Sequence, residues 1–540
     1  GNWWRQSLLS ETTLTWKRSF RRRHDVNIVA GFTAERTETT NETTRGTGYL
    51  DDRVTWRNMS GLVDARNLSV SSSSYRKTAM SVLVRANYAY RKRYHFTFTM
   101  RADGASNFSK GNKWGIFPAG AFRWSLSNEK FLKNTSWLDD LSLRLSAGRS
   151  GNDAIGSYMS VATLLASRGN WVFGDKQLLA YTPTRLANSS LTWETTDSYN
   201  AGINFAALNN RIVLEVDAYR STTTDLLLAM QNAQTTGYGT YYTNIGKTRN
   251  TGIEATLTTR NVAKPKFTWS TTITLAHNTQ LVVDAGNEGE LVSTYMNPHN
   301  TTQTLYGYRN GYPVNALWGY QYAGVWHSEA DIERNEKTHT YVSMIRSGSN
   351  GSNLGRPRYV DVNNDGVLDQ NDMIYLGNSD PVIYGGFQNN FTICRNLSLS
   401  IYFTYSLGGR IYNLSELWMG SGLANHNKYR YMLDAWHPVR NPDSNIPIPN
   451  YDDAVASDRF VHDASYLRLK TLSLSYRFRI KNKKTGIESL LVGFSSDNLW
   501  LWKKYNGFDP DVSTSATVRR LDNGSYPRPR TFVFNLQITY

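Results

Sequence analysis

Apolar residues recur at every second position in short runs along the chain, and each run is bounded by polar, glycine-containing or basic residues. In the last run Phe532, Phe534, Leu536, Ile538 and Tyr540 share one parity, while Thr531, Asn535, Gln537 and Thr539 share the other with Val533. A strict period of two predicts a strand with one apolar and one polar face. The same pattern predicts earlier strands through Leu14 and Trp16, Val26 to Ala34, Met80 to Tyr90, Phe96 to Met100, Phe122 to Leu126 and Leu141 to Ala147. It returns at Tyr199 to Phe205, Ile212 to Ala218, Ile253 to Leu257 and Trp269 to Leu275. The remaining runs are Phe387 to Ile393, Leu397 to Tyr405, Leu472 to Phe478 and Leu490 to Phe494.

These runs total about 15 crossings, joined alternately by short and long links. Arg21 to His24, Arg91 to Arg93, Asn209-Asn210 and Arg395-Asn396 are short; Arg149 to Ser190 and the segment 281–382 are long. Short turns at one rim and long loops at the other are the pattern of an antiparallel transmembrane β-barrel, and an aromatic last residue suits its closing strand. A soluble multi-sandwich chain would instead show turns every 8–12 residues or so without alternation of length. Both the first and the last run descend toward the short-turn side, so an even-stranded barrel needs an odd number of strands before Gly1. The chain is therefore expected to supply the C-terminal part of a barrel, with its N-terminal part elsewhere, and its start at Gly1 reads as an interior or processed one.

Composition narrows the alternatives. The mean hydropathy of −0.51 and the lack of a run near 18 apolar residues exclude a helical membrane protein, not a barrel. The 33 Tyr and 16 Trp of the 540 residues suit strands and interfacial girdles. A net charge of +16 raises nucleic acid as a partner. However, the densest clusters, Arg21-Arg22-Arg23, Arg91-Lys92-Arg93 and Lys481 to Lys484, each fall in a short link, so no nucleic-acid partner is expected. The single cysteine, Cys394, forms no internal disulfide.

With the strands placed, several stretches resemble the SusC/RagA-type TonB-dependent outer-membrane transporters. They are Arg101-Ala-Asp-Gly-Ala-Ser-Asn-Phe-Ser109 with Trp114-Gly-Ile-Phe-Pro118, Tyr359 to Gly366 with Gly377-Asn378 and Pro381 after it, Ala464 to Lys470, and Tyr526-Pro-Arg-Pro-Arg530. The resemblance implies a barrel of about 22 strands behind an N-terminal plug, of which plug, TonB box and about seven strands are absent from this sequence. It also implies import of oligosaccharides or peptides, with a SusD-like surface lipoprotein capturing the cargo and the TonB–ExbB–ExbD complex pulling on the plug. Outer-membrane lipid would cover the apolar face. The competing class is a passive porin or a surface adhesin on a similar barrel.

Chemistry is concentrated in two places. Asp361, Asn363, Asp365, Gly366, Val367 and Asp369 fit the calcium-loop pattern, with hard oxygen donors at alternate positions and a glycine at the sharp turn. Asp372 stands where a bidentate Glu is usual, which predicts weaker binding of a structural calcium ion on the extracellular side; a metal-free Asx-turn cluster is the alternative. Trp318, Tyr320, Tyr322 and Trp326 crowd the same long link and Trp500 and Trp502 another, as candidates for stacking on substrate. His437, His462 and Asp463 assemble no nucleophile, paired acid or metal spacing, so no enzyme activity is expected.

Overall fold

A computed structural model describes residues 1–49, 67–174, 176–232, 234–286, 290–296, 302–343, 353–420, 427–449, 455–480, 486–512 and 519–540. The chain divides into two compact units. One comprises Gly1–Lys130, Leu143–Ala201 and Ser221–Lys247; the other comprises Phe131–Ser142, Gly202–Arg220 and Thr248–Tyr540. Among the described residues the largest sheet has 15 strands, taken in chain order, and each of the runs picked out by alternation supplies one. They are β1 (Asn2–Phe20), β2 (His24–Gly46), β3 (Leu68–Tyr90), β4 (Tyr94–Ala105), β5 (Trp114–Ser125), β6 (Leu138–Asn152), β7 (Glu194–Ala207) and β8 (Ile212–Thr224). β9 (Lys247–Lys264), β10 (Phe267–Asp284), β11 (Ile383–Ile393), β12 (Leu397–Leu407), β13 (Tyr466–Arg479), β14 (Ser489–Lys503) and β15 (Thr531–Thr539) follow. β1 and β15 stand at the two ends of this order.

In the first unit the antiparallel registers line up like residues. Trp16, Ile28, Ala86, Phe98 and Gly120 lie opposite one another across β1 to β5, and one residue further Lys17, Asn27, Asn87 and Thr97 form a polar row that ends on Ala121. Toward the short turns the apolar rows become aromatic: Phe96 and Phe122 rings lie 4.9 Å apart and Tyr94 and Trp124 6.2 Å apart. The turns themselves are three residues long, with Arg23 N–H donating to Phe20 O at 3.0 Å and Arg93 N–H to Tyr90 O at 2.9 Å. Their closure places Arg21, Arg22, Arg91 and Lys92 at positive φ, as it does Asn209 and Asn210. Asn accepts this region most readily, and the arginines and lysine are held there by the pairing of the long strands on either side. The basic cluster expected at Lys481 to Lys484 lies outside the described residues.

The second unit repeats the arrangement over six strands. Trp269, Phe391, Leu399, Leu474, Phe494 and Phe534 form one apolar row from β10 to β15. Adjacent to it Ser270, Asn390, Ser400, Ser473, Ser495 and Val533 form a row that is polar except at its last member. The apolar row is left open: Leu474 is 43% exposed and Phe534 81%. Buried apolar residues come mainly from the long links, with Phe108, Leu191 and Trp193 packed on Phe117 in the first unit and Leu305, Leu317, Leu414, Leu417 and Phe460 clustered in the second. A soluble sandwich would bury the apolar face of its strands; here none of the described residues covers the greasy side of the sheet at Leu474 or Phe534.

The long links hold more structure than alternation predicts. Thr163–Phe173, Lys176–Arg185, Leu227–Gln231 and Thr240–Asn244 form a four-stranded sheet in the first unit. In the second, Glu290–Met296, Thr302–Arg309, Ala316–Gly319 and Ile374–Asn378 form another, and Tyr322–Val325, Tyr341–Val342 and Pro357–Val360 a three-stranded one. Many of these strands are two to five residues long, too short for a period of two to show. The aromatic stretch around Trp318 is thus, as expected, a fold within the link and adds no strand to the large sheet.

Candidate functional site

The polar face of the second unit carries a cavity of about 720 Å³. Its floor is one rung of the sheet, where Ala276, Tyr384, Ser406 and Tyr466 lie opposite one another, with Thr274 and Thr404 from the rung beside it; Gly386 and Arg468 complete that second rung outside the lining. Serine and threonine continue the polar parity of these strands, whereas Tyr384, Tyr402 and Tyr466 place rings where the sheet otherwise carries small hydroxyls. A Cβ at Gly386 would come within 2.9 Å of the Tyr402 ring and 2.8 Å of Phe403 O, so the glycine makes room for that ring. Arg519, Arg520 and Asp380 also line the cavity, as does Glu254 from β9. Asp380 is buried and accepts from Arg519 Nη1 at 2.9 Å and Asn315 Nδ2 at 3.0 Å.

The aromatics singled out from the sequence are placed elsewhere. Trp318 is 3% exposed, donates from Nε1 to Gly307 O at 3.2 Å, and packs edge-on against Tyr312 with Arg309 stacked 4.2 Å from its ring centre. Trp326 is likewise buried and donates to Ser343 Oγ at 2.7 Å. Tyr320 and Tyr322 are half-buried, both beside Tyr359, and the Tyr322 hydroxyl donates to Asn445 O. Trp500 and Trp502 are exposed and sit opposite Leu469 and Leu467, on the apolar side of β14. The structure therefore brings Trp318, Tyr320, Tyr322 and Trp326 together as packing within one link and sets Trp500 and Trp502 apart from them on the open greasy face.

The calcium-type loop is closed by its own hydrogen bonds. Asp361 accepts N–H bonds from Asp365 at 3.3 Å and Gly366 at 2.8 Å, and Asp365 from Val367 at 2.8 Å. Asp372, fully buried, accepts from Val362 and Asp369, both at 2.9 Å, while Asp369 accepts from Asn371 at 2.7 Å. Asn363 Nδ2 donates to Asp365 at 2.7 Å, and Gly366 has the left-handed φ of 79° that its place in the pattern requires. Among the described residues no three Asp, Glu, His or Cys side chains gather into a metal-holding group. In this geometry the loop is a nest of Asx turns, and enclosing an ion would require its carboxylates to swing toward a common point.

His462 Nε2 lies 2.6 Å from Glu416 Oε2, and the Tyr505 hydroxyl donates to Asp522 at 2.6 Å. Burial and the bond to Asp522 push the Tyr505 hydroxyl well above its ordinary pKa, so it is no base. Asp463 accepts from Ser465 and Lys504, and His437 from the backbone of Val439 and Arg440. Each is occupied in holding a link. The cavity residues Tyr384, Tyr402, Tyr466, Arg519 and Arg520 were missed by the sequence reading; the one available signal was tyrosine at polar-parity positions.

Comparison with known proteins matches this architecture. The family described as TonB dependent receptor-like, beta-barrel matches residues 2–414. TonB-dependent receptor P3 of Formosa agariphila is 31% identical over 540 residues, covering 98% of this chain and 52% of that protein. TonB-dependent receptor SusC of Bacteroides thetaiotaomicron is 28% identical over 488 residues, covering 88% of this chain and 45% of that protein. A solved structure of the RagAB peptide transporter has the same fold, with a TM-score of 0.81 at 23% identity over 99% of this chain and 55% of that one. The chain spans about half the length of the relatives it matches. An open greasy face on strands in strict chain order is what a lipid-facing barrel wall requires, and with these matches the chain belongs to the TonB dependent receptor-like β-barrel family of the bacterial outer membrane.

Proposed function

We propose that the protein containing this chain is a nutrient importer of the outer membrane. Its cargo is an oligosaccharide or peptide handed over by a SusD-like lipoprotein, and the TonB–ExbB–ExbD complex drives entry. The observation that carries this reading is the family match over residues 2–414; the likeness in fold to the RagAB peptide transporter supports it. The polar face supplies the ligand contacts and the apolar face meets lipid. Selection is by binding, with no covalent chemistry, and a structural calcium ion at Asp361 to Asp372 is proposed on the residue pattern alone.

The test is growth on defined oligosaccharides and peptides by the native organism, by a strain lacking this gene, and by a strain lacking TonB. An importer loses uptake of the same compound in both mutants. Uptake that survives loss of TonB but not of the gene overturns the energised reading in favour of a passive porin, and uptake unchanged by loss of the gene favours an adhesin. Co-purification of a surface lipoprotein with the tagged barrel tests the partner.

A further inference from the structure

Two arginines, Arg519 and Arg520, line the cavity and a third, Arg468, stands opposite the lining residue Thr404; Arg468 and Arg519 have acidic partners. Arg468, fully buried, has Nη2 2.6 Å from Asp509 Oδ1. Arg519 has Nη1 2.9 Å from Asp380 Oδ1. Arg520 differs: its Nη2 donates to Ser406 Oγ at 2.7 Å and its Nη1 to Gly408 O at 3.2 Å, both neutral acceptors. Among the described residues no carboxylate forms an ion pair with it, and Asp511 and Asp380 act on it only at longer range. Burial accordingly pulls its pKa below the ordinary arginine value. A guanidinium does not give up its proton in a protein, so the charge stays and the cost of its burial is relieved by an anion or by water.

Arg520 is also held in place at some expense. Its φ is 55°, in the left-handed region that L residues other than Asn and Asp rarely adopt. The conformation is fixed by the parallel pairing of Leu521 and Asp522 with Tyr412 and Asn413, and by Tyr412 N–H donating to Arg520 O at 3.0 Å. Sparse backbone conformations persist where the surroundings over-determine them, commonly at ligand sites. Here the result is a guanidinium over Ser406 in the wall of a cavity of about 720 Å³, a volume within the range of small-molecule sites.

We propose that Arg520 anchors a carboxylate-binding subsite in this cavity, taking the acid group of a small ligand while Tyr384, Tyr402 and the threonine hydroxyls contact its body. A planar guanidinium with unused N–H donors matches a carboxylate fork to fork. Arg519 adds a second positive charge, partly neutralised by Asp380. Glu254 and Asp380 in the same lining repel a second negative charge, so the ligand carries one acid group and is not a polyanion. The two sources of that group are a uronic-acid sugar and the C-terminus of a short peptide. The subsite rests on the importer reading only in treating the bound molecule as cargo.

The test is calorimetric titration of the natural full-length chain in detergent at low salt. The probes are a disaccharide with one uronic acid, its neutral counterpart, a tripeptide, and the same tripeptide amidated at its C-terminus. One acid source is expected to bind about tenfold or more tightly than its neutral counterpart, the scale of a charged hydrogen-bonded pair. Which pair shows the difference names the source. Arg520→Gln should abolish that preference, and Arg520→Lys, which keeps the charge without the fork, should retain part of it; heat-modifiable gel mobility confirms that each variant is folded. Binding that ignores the acid group, no binding of any acidic probe, or an acid preference kept within twofold in a folded Arg520→Gln or enhanced in Arg520→Lys overturns the subsite. TonB-dependent uptake with charge-blind binding would overturn this subsite alone, whereas acid-selective binding with TonB-independent uptake would overturn only the importer.

Discussion

A charge placed on the wrong face of one strand separates a lipid-facing wall from every soluble alternative. Leu474 lies between Leu399 on β12 and Phe494 on β14, in the apolar row that runs on to Phe534. Its neighbour in sequence, Ser473, lies between Ser400 and Ser495 on the opposite face. From Leu474 to Phe478, the last aromatic before the short turn, is four residues, about 13 Å along a strand and about 10 Å along the membrane normal at a barrel tilt near 40°. In an apolar band about 25 Å tall that puts Leu474 close to the midplane, where an arginine costs about 2–4 kcal/mol. Leu474→Arg should therefore lower the folded-to-unfolded ratio by about 30- to 1,000-fold. Ser473→Arg faces polar neighbours and should cost below about 1 kcal/mol. The assay is urea unfolding of the natural full-length chain in phospholipid vesicles, followed by heat-modifiable gel mobility. Equal losses for the two variants would refute the lipid-facing assignment, and a larger loss for Ser473→Arg would show the register to be reversed.

Three further outcomes follow from particular residues. Cys394 is exposed at positive φ in the turn between β11 and β12, on the short-link side, so a membrane-impermeant maleimide should leave it unlabelled in intact cells and label it after lysis; labelling in intact cells would reverse the topology. Calcium at millimolar concentration, the range of weak extracellular sites of about 10⁻⁴–10⁻³ M, should protect the link around Asp361 to Asp372 from protease. Protection identical with calcium, with chelator and in Asp361→Ala/Asp365→Ala would leave only a hydrogen-bonded turn. Arg468→Met, which strands buried Asp509 without its 2.6 Å partner, should cost about 3–5 kcal/mol of stability measured in the same vesicles; a loss below 1 kcal/mol or so would mean that solvent reaches the pair.

The wall of the fold was legible because its signal is local. A period of two over Leu397 to Tyr405 or Phe532 to Tyr540 reports which way each side chain faces, and alternation of link lengths reports direction, so all 15 strands of the large sheet could be placed from the sequence. The RADGASNF stretch was recognised as a motif, but its role was not. Asn107 donates to Asp153 O and Ile155 O, and Phe108 packs 5.2 Å from Trp193, so these residues fasten long links to the strand ends in the first unit. The short sheets inside the links escaped notice because Tyr341–Val342 or Arg410–Asn413 carries too few residues for any period.

The site was poorly legible for a different physical reason. Whether an aromatic in a link meets solvent is decided by what packs on it: Trp318 disappears under Tyr312, Tyr375 and Arg309, and a link without a regular period does not announce which of its residues fold onto one another. Trp500 and Trp502 looked like a ligand cluster, yet strand parity carried through the irregular pairing near Thr471 sets them opposite Leu469 and Leu467. The cavity is the extreme case, since its lining runs from Glu254 to Arg520. The bond from Arg520 to Ser406 closes over 114 residues. Sequence shows a charge at each such position; only the fold shows which charges are matched, and Arg468 and Arg519 are matched by Asp509 and Asp380 while Arg520 meets neutral oxygens. In a barrel wall whose strands are specified by lipid and by alternation, a cation that meets no carboxylate among the described residues is therefore the residue whose choice the fold alone does not explain.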